Sequence, residues 1–177
     1  MSPIGMLHIY CGDGKGKTTA AIGLAVRVAG YGVPVLFCQF LKGSPTGELA
    51  PMDKLGIRVL RPVFPAADKF VFQMTDAEKQ TAADAHRHCF AQVCRAAADT
   101  GARLLVLDEV LDAVALGLLP LPDLLAFLEE RPPGLDVVCT GRDPHEQLCA
   151  LADYHTDFRA LRHPYDRGIS AREGIEY

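Results

Sequence analysis

Leu7-His8-Ile9-Tyr10-Cys11-Gly12-Asp13-Gly14-Lys15-Gly16-Lys17-Thr18-Thr19 is a short apolar run that breaks into a glycine-rich loop and then into an alanine-rich stretch. Glycines at 12, 14 and 16 let the backbone curl so that successive N–H groups face one point. Lys15 and Lys17 add positive charge there, and a helix opening at Lys17 aims the positive end of its dipole at the same place. That combination suits a polyphosphate. It approaches the pattern G-x-x-x-x-G-K-[ST], anchored on Gly16-Lys17-Thr18, with Cys11 standing where the first glycine belongs. The reading is a strand, a phosphate loop and a helix, the start of a P-loop α/β fold.

Working outward, residues 17–30 read as a helix closed by Gly30, and 33–40 as a second, nearly continuous apolar strand. The loop 42–48 follows that strand's carboxyl end, where open α/β sheets contact ligands. Residues 57–60 make a short third strand, and a proline-broken segment then leads to Lys69-Phe70-Val71-Phe72. Thr75 with Glu78 three residues on forms a capping box, so a long helix is expected from there to about Asp99. Leu104-Leu105-Val106-Leu107-Asp108-Glu109 is an apolar strand ending in two acids, expected to neighbour the loop strand. Helical stretches follow near 110–117 and 121–131, then a buried strand at 136–140, a helix start at Pro144 and a last strand over 157–161. The tail from Arg162 is polar and glycine-punctuated. Strands alternating with helices predict α/β architecture: a mostly parallel sheet with helices on both faces, in one domain over 1–177.

The chain has 177 residues, 49% hydrophobic and 23% charged, an ordinary balance for a soluble globular protein. With 18 basic against 22 acidic residues and no lysine-rich block, it does not read as a general nucleic-acid binder. The six cysteines contain no C-x-x-C pair, and Cys38 and Cys139 fall in buried strands, so they are read as reduced thiols. No signal pattern or membrane-length apolar run is present, which predicts a cytoplasmic protein with no membrane partner.

In a P-loop, Lys17 reaches phosphate oxygens and the Thr18 hydroxyl sits on Mg²⁺. Asp108 and Glu109 can hold that metal directly or through water, although a helix cap is the plainer role for Glu109. Arg142, just past a strand end, is placed to meet the same phosphates unless it merely pairs with Asp143. His86 and Cys89 share a helix face three residues apart, which is poor support for a metal site and fits partly exposed positions. Phe70 and Phe72 alternate as core residues would.

The motifs Gly12-Asp13-Gly14-Lys15-Gly16-Lys17-Thr18-Thr19, Gln39-Phe40-Leu41-Lys42-Gly43, Thr46-Gly47-Glu48, Leu107-Asp108-Glu109, Thr140-Gly141-Arg142 and Leu151-Ala152-Asp153 resemble those of the P-loop ATP:corrinoid adenosyltransferases. The tail His163-Pro164-Tyr165-Asp166-Arg167-Gly168-Ile169-Ser170-Ala171-Arg172-Glu173-Gly174-Ile175-Glu176-Tyr177 extends the resemblance and is its most diagnostic part. In that family the loop also begins with a non-glycine, so Cys11 becomes a match. The resemblance implies a transferase in which a cobalt(I) corrinoid attacks the 5′-carbon of ATP and releases tripolyphosphate. ATP would lie in the loop in the reverse of the usual sense. Residues 12–19 would bind it, with Lys17, Glu109 and Arg142 serving the triphosphate and Thr18, Asp108 and Glu109 the Mg²⁺.

The resemblance also places Phe70 and Phe72 beside the corrinoid's lower face, where they would help displace the lower ligand. Expected partners are a second copy of the chain, forming a homodimer, and a reductase that supplies the electron. Two departures stand out. The family's second aromatic is commonly tryptophan, and this chain has Phe72 and no tryptophan. The chain also starts almost at its first strand, so no extension is expected to fold over the corrinoid, leaving an open site or one covered by a partner subunit. A kinase or NTPase acting at the γ-phosphate is the alternative enzyme, and a nucleotide-gated binding module the non-enzymatic one. The absence of Asn-Lys-x-Asp argues against a GTPase.

Overall fold

The computed structural model describes residues 5–176, so Tyr177 of the tail motif lies outside the described residues. Six parallel strands form one sheet: β1 (Leu7–Cys11), β2 (Val35–Gln39), β3 (Arg58–Leu60), β4 (Leu104–Asp108), β5 (Asp136–Thr140) and β6 (Tyr154–Asp157), in the order β3-β2-β4-β5-β1-β6. Helices α1 (Lys17–Ala29) and α2 (Leu49–Lys54) cover one face. Helices α3 (Asp76–Asp99), α4 (Val110–Ala115), α5 (Leu121–Glu130) and α6 (Glu146–Leu151) complete the set.

The strands read as continuous apolar runs because both faces are buried. Val35, Phe37, Leu104, Val106 and Val138 pack with Ala21 and Ala25 of α1 and Met52 of α2. Their neighbours Leu36, Cys38, Leu105, Leu107, Val137 and Cys139 turn the other way, onto Phe90 and Val93 of α3, Leu111 of α4, Leu124 of α5 and Leu148 of α6. Alternate residues of one strand thus fill two cores, as the period of two in a strand requires. Cys38 and Cys139 are buried free thiols, as expected. No helix among the described residues is long and apolar enough to cross a membrane.

The Thr75–Glu78 capping box is formed: Glu78 N donates to Thr75 Oγ1 at 3.3 Å, and Thr75 N donates to Glu78 Oε2 at 2.8 Å. It starts α3 where the sequence placed it.

Four expectations need correction. The acid-ended strand β4 does not neighbour the loop strand β1; β5 lies between them. The last strand is 154–157 rather than 157–161. It is an edge strand exposed along its length, so it carries no apolar run to betray it. Helix α2 was not foreseen, since a six-residue helix with an internal proline has almost no periodic signal. His86 and Cys89 are buried rather than partly exposed. The His86 ring lies near those of Phe40 and Phe64, and its Nδ1 is 2.7 Å from the Ala82 carbonyl oxygen, so it serves the core.

Candidate functional site

All six strands run the same way, so their carboxyl ends and the loops that follow share one edge of the sheet. A cavity of about 650 Å³ opens there. Its lining includes Asp13, Gly14, Lys15, Gly16, Lys17, Thr18 and Thr19 of the glycine loop, Glu109 after β4, and Arg142 after β5. Nine sequence-derived candidates therefore meet in one place. Gly12, Asp108, Phe70 and Phe72 do not line it.

Gly12 has a structural task instead. Its φ of 104° suits glycine, and a Cβ there would collide with the Phe158 carbonyl oxygen. Gly12 N donates to Arg142 O at 2.9 Å and Gly14 N to Phe158 O at 2.7 Å. These two N–H groups tie the loop to its neighbours. The first turn of α1 adds the unpaired N–H donors that the start of a helix carries.

Lys17 folds back over the loop, its Nζ donating to Gly12 O at 2.7 Å and Gly14 O at 2.8 Å. Burial lowers its affinity for a proton, and the Arg142 charge lowers it further. The attraction of an incoming anion would offset both effects. Arg142 makes no ion pair with Asp143 among the described residues, and its backbone N–H donates to Asp112 Oδ1 at 3.4 Å.

β5 between β1 and β4 bridges the two halves of the site. Asp108 is fully buried, and its Oδ1 accepts from Thr18 Oγ1 at 2.8 Å and from Thr140 Oγ1 at 2.7 Å. Its Oδ2 is buried without a hydrogen-bond partner among the described residues. Burial pushes the Asp108 carboxyl above the usual range, and the two hydroxyl bonds only partly oppose that. Glu109 caps α4 in a left-handed conformation, φ 61°, and its N–H donates to Thr140 Oγ1 at 2.8 Å. Its carboxyl is raised by burial, against the pull of Lys42, whose Nζ lies 3.2 Å from Glu109 Oε1.

In this arrangement a glycine loop faces an acid pair across the sheet. Over residues 4–177 the chain matches the ATP:corrinoid adenosyltransferase family BtuR/CobO/CobP. It is 36% identical to the corrinoid adenosyltransferase of Escherichia coli strain K12 over 174 residues, covering 98% of this chain and 86% of that protein. It is also 36% identical to the corrinoid adenosyltransferase CobA of Salmonella typhimurium strain LT2, with the same coverage. Against the corrinoid adenosyltransferase of Pseudomonas aeruginosa the identity is 34%, with 98% and 84% covered. The chain belongs to this family.

Within the adenosyltransferase framework, Phe70 and Phe72 take on meaning as an exposed pair. They are 68% and 81% exposed and stack on each other, ring centres 5.5 Å apart and planes 9° off parallel. The expectation that they are core residues fails. The 3-10 turn Val71–Gln73 puts both rings on one side instead of alternating them as a strand would.

Several cavity residues were assigned no role from sequence: Lys42, Thr46 and Glu48 after β2, Asp112, Thr140, and His163, Ile175 and Glu176 of the tail. Asp112 had a readable signal, since it lies one helical turn beyond Glu109 on the same face. The tail was diagnostic as a motif, but its contacts were not legible: Lys15 Nζ donates to Ile175 O at 2.7 Å, across 160 residues of chain, and lies 3.8 Å from Glu176 Oε1.

Proposed function

We infer that this chain transfers the 5′-deoxyadenosyl group of ATP to the cobalt of a reduced corrinoid, releasing tripolyphosphate, in the formation or salvage of adenosylcobalamin. Cobalt(I) of the substrate supplies the electron pair for the new cobalt–carbon bond. The C5′–O bond breaks, and its electrons leave with the tripolyphosphate. Family membership along the whole match, combined with a cavity in which glycine loop, acid pair and Arg142 converge, is the observation that carries the reading.

The residues divide the work by charge. Residues 12–19, the loop and the first turn of α1, take the triphosphate, with Lys17 moving from the Gly12 and Gly14 carbonyls onto phosphate oxygens. Arg142 adds a second cation beside the departing chain, where developing charge is greatest. Lys15 stands at the loop's outer side with the tail. The tail lines the cavity through His163, Ile175 and Glu176, and closing it over the substrates would limit water near a strongly reducing nucleophile.

The donor set also fits a Mg²⁺ ion. Thr18, Asp108 and Glu109 offer hard oxygens, and Asp108 Oδ2 is a buried acceptor without a partner. Among the described residues no cluster of three or more His, Cys, Asp or Glu could hold a metal, so the cation would depend on the substrate's phosphates. When bound, it would offset the negative charge of the triphosphate.

Phe70 and Phe72 offer the corrinoid an exposed aromatic face, and we assign them to its lower side, with Phe72 in the place of tryptophan. Packing of two rings there would disfavour the lower cobalt ligand and ease reduction of cobalt(II). We further propose that 1–177 acts as one domain in the cytoplasm, as a homodimer, with a reductase delivering the electron. Transfer or hydrolysis at the γ-phosphate, with Glu109 orienting the nucleophile, is the alternative and is not favoured by the family membership.

The test is product identity. Purified protein with ATP, Mg²⁺ and a chemically reduced corrinoid, kept anaerobic, should yield tripolyphosphate in step with a light-sensitive corrinoid. ADP and phosphate formed at the same rate without corrinoid would overturn the reading.

A further inference from the structure

Among the described residues only Leu41 and Glu109 are non-glycines with positive φ, at 57° and 61°. They stand just beyond the ends of two adjacent strands, β2 and β4, whose register pairs Gln39 with Asp108. Left-handed backbone at a branched or acidic side chain is strained and persists only where its surroundings hold it. Here the two turns aim Lys42 and Glu109 at each other, 3.2 Å apart, inside the cavity.

The loop bearing Lys42 is also fixed from outside the cavity. Arg61, next after the edge strand β3, donates through Nε to Gln39 Oε1 at 2.8 Å, through Nη1 to Ser44 O at 2.8 Å and through Nη2 to Thr46 Oγ1 at 2.9 Å. The buried Gln39 then donates to Glu48 Oε1 at 2.6 Å. An arginine, a glutamine and a left-handed turn thus place one lysine whose ammonium packs against no core. A partly buried ion pair is a weak reason for such construction, because desolvation offsets most of the attraction.

We propose that Lys42 is a further polyphosphate-binding residue, taking the end of the phosphate chain remote from the glycine loop and exchanging Glu109 for it. The proposal rests on the nucleotide reading of the cavity. Lys42 enters from β2, three strands away from β1, a separation of about 14 Å at the usual spacing between strands. A diphosphate seated in the loop leaves that gap open. A longer phosphate chain and the extended lysine stem close it from both sides. Release of Glu109 at the same moment frees a carboxylate next to Asp108, so cation and carboxylate change partners together.

The test compares two inorganic anions by titration calorimetry at fixed ionic strength, without added divalent cation. Wild-type chain should bind tripolyphosphate more tightly than diphosphate. Lys42→Ala should weaken tripolyphosphate about tenfold, as loss of a charged hydrogen bond does, and leave diphosphate within about twofold. Lys17→Ala should weaken both. Lys42→Gln, which keeps most of the stem, serves if the alanine variant folds poorly, and Lys42→Arg should retain most of the preference. Tripolyphosphate affinity within about twofold of wild type in the Lys42 variants, or equal loss for both anions, overturns the proposal. So does full recovery in Lys42→Ala/Glu109→Gln, since the loss would then come from an unpaired Glu109. If wild type binds neither anion, the nucleotide reading itself falls, and this proposal with it.

Discussion

The Thr18 hydroxyl donates to Asp108 Oδ1 at 2.8 Å, joining the first turn of α1 to the end of a strand that is not its neighbour in the sheet. Thr140, from the strand between, donates to the same oxygen at 2.7 Å. The second carboxylate oxygen is buried with no hydrogen-bond partner among the described residues. Burying that carboxylate makes its ionised form costly in the ligand-free protein.

That cost is measurable. Asp108→Asn removes a buried charge while keeping the Oδ1 acceptor, so the ligand-free protein should gain about 1 kcal/mol. For a chain of this size that raises Tm by about 2–4 °C. Burial raises the Asp108 carboxyl, so the folded state binds its proton more tightly than the unfolded chain does, and ionisation destabilises the fold as pH rises. The gain from asparagine should be full near neutrality and vanish at acid pH, where the wild-type carboxyl is protonated in both states. Scanning calorimetry at several pH values checks this, and turnover by the variant should fall at least a hundredfold.

Lys17→Ala tests the loop assignment. The ammonium is held by two loop carbonyls in the free protein, at 2.7 and 2.8 Å, and it must leave them to reach a phosphate. Net loss should be about tenfold to a hundredfold in ATP affinity, the range for a charged hydrogen bond. Equilibrium binding of ATP reads it directly, and unchanged affinity with unchanged rate would mean the loop is misassigned.

Phe72→Ala should leave Tm within about 1 °C, because the ring is 81% exposed and contributes little to the core. Its effect should appear in the reaction instead. Turnover starting from cobalt(II) corrinoid should slow several-fold more than turnover from corrinoid already reduced to cobalt(I). Equal slowing from both would remove the pair from ligand displacement.

His86 gives the fold a pH dependence of its own. Burial lowers its affinity for a proton, against the opposing bond to the Ala82 carbonyl. In the unfolded chain the imidazole protonates near its usual value of about 6.5. Below that value the unfolded state gains a proton that the folded state refuses, so stability is lost as pH falls from about 7 towards 5. The same window contains opposite contributions from Asp108 and Glu109, whose carboxyls are raised. Denaturant titrations of wild type and His86→Gln should therefore be compared as a difference, and that difference should narrow as pH falls.

What could be read from sequence follows the range of the interactions. The strands β1, β2, β4 and β5 show as apolar runs because both their faces are buried, and α3 shows through the local chemistry of Thr75 and Glu78. Strand β6 was misplaced because an exposed edge strand such as Tyr154–Asp157 leaves no hydrophobic signature. The glycine loop and the Asp108–Glu109 pair are contiguous motifs and were legible. Placing β5 between them depends on strand order, which no local pattern carries, and so does the bridging role of Thr140. Lys42 and Glu176 reach the cavity only through the sheet order and the returning tail. The alternation of Phe70 and Phe72 suggests core residues, whereas a 3-10 turn brings both rings to the surface.

The central claim concerns which bond of ATP breaks. ATP carrying ¹³C at the 5′ position, incubated anaerobically with the full chain, Mg²⁺ and cobalt(I) corrinoid, can be followed by NMR. The account predicts that the labelled carbon appears bonded to cobalt, with one tripolyphosphate released per adduct, and leaves the corrinoid on illumination. A label that stays in ADP or another nucleotide, with phosphate released whether or not corrinoid is present, would contradict it.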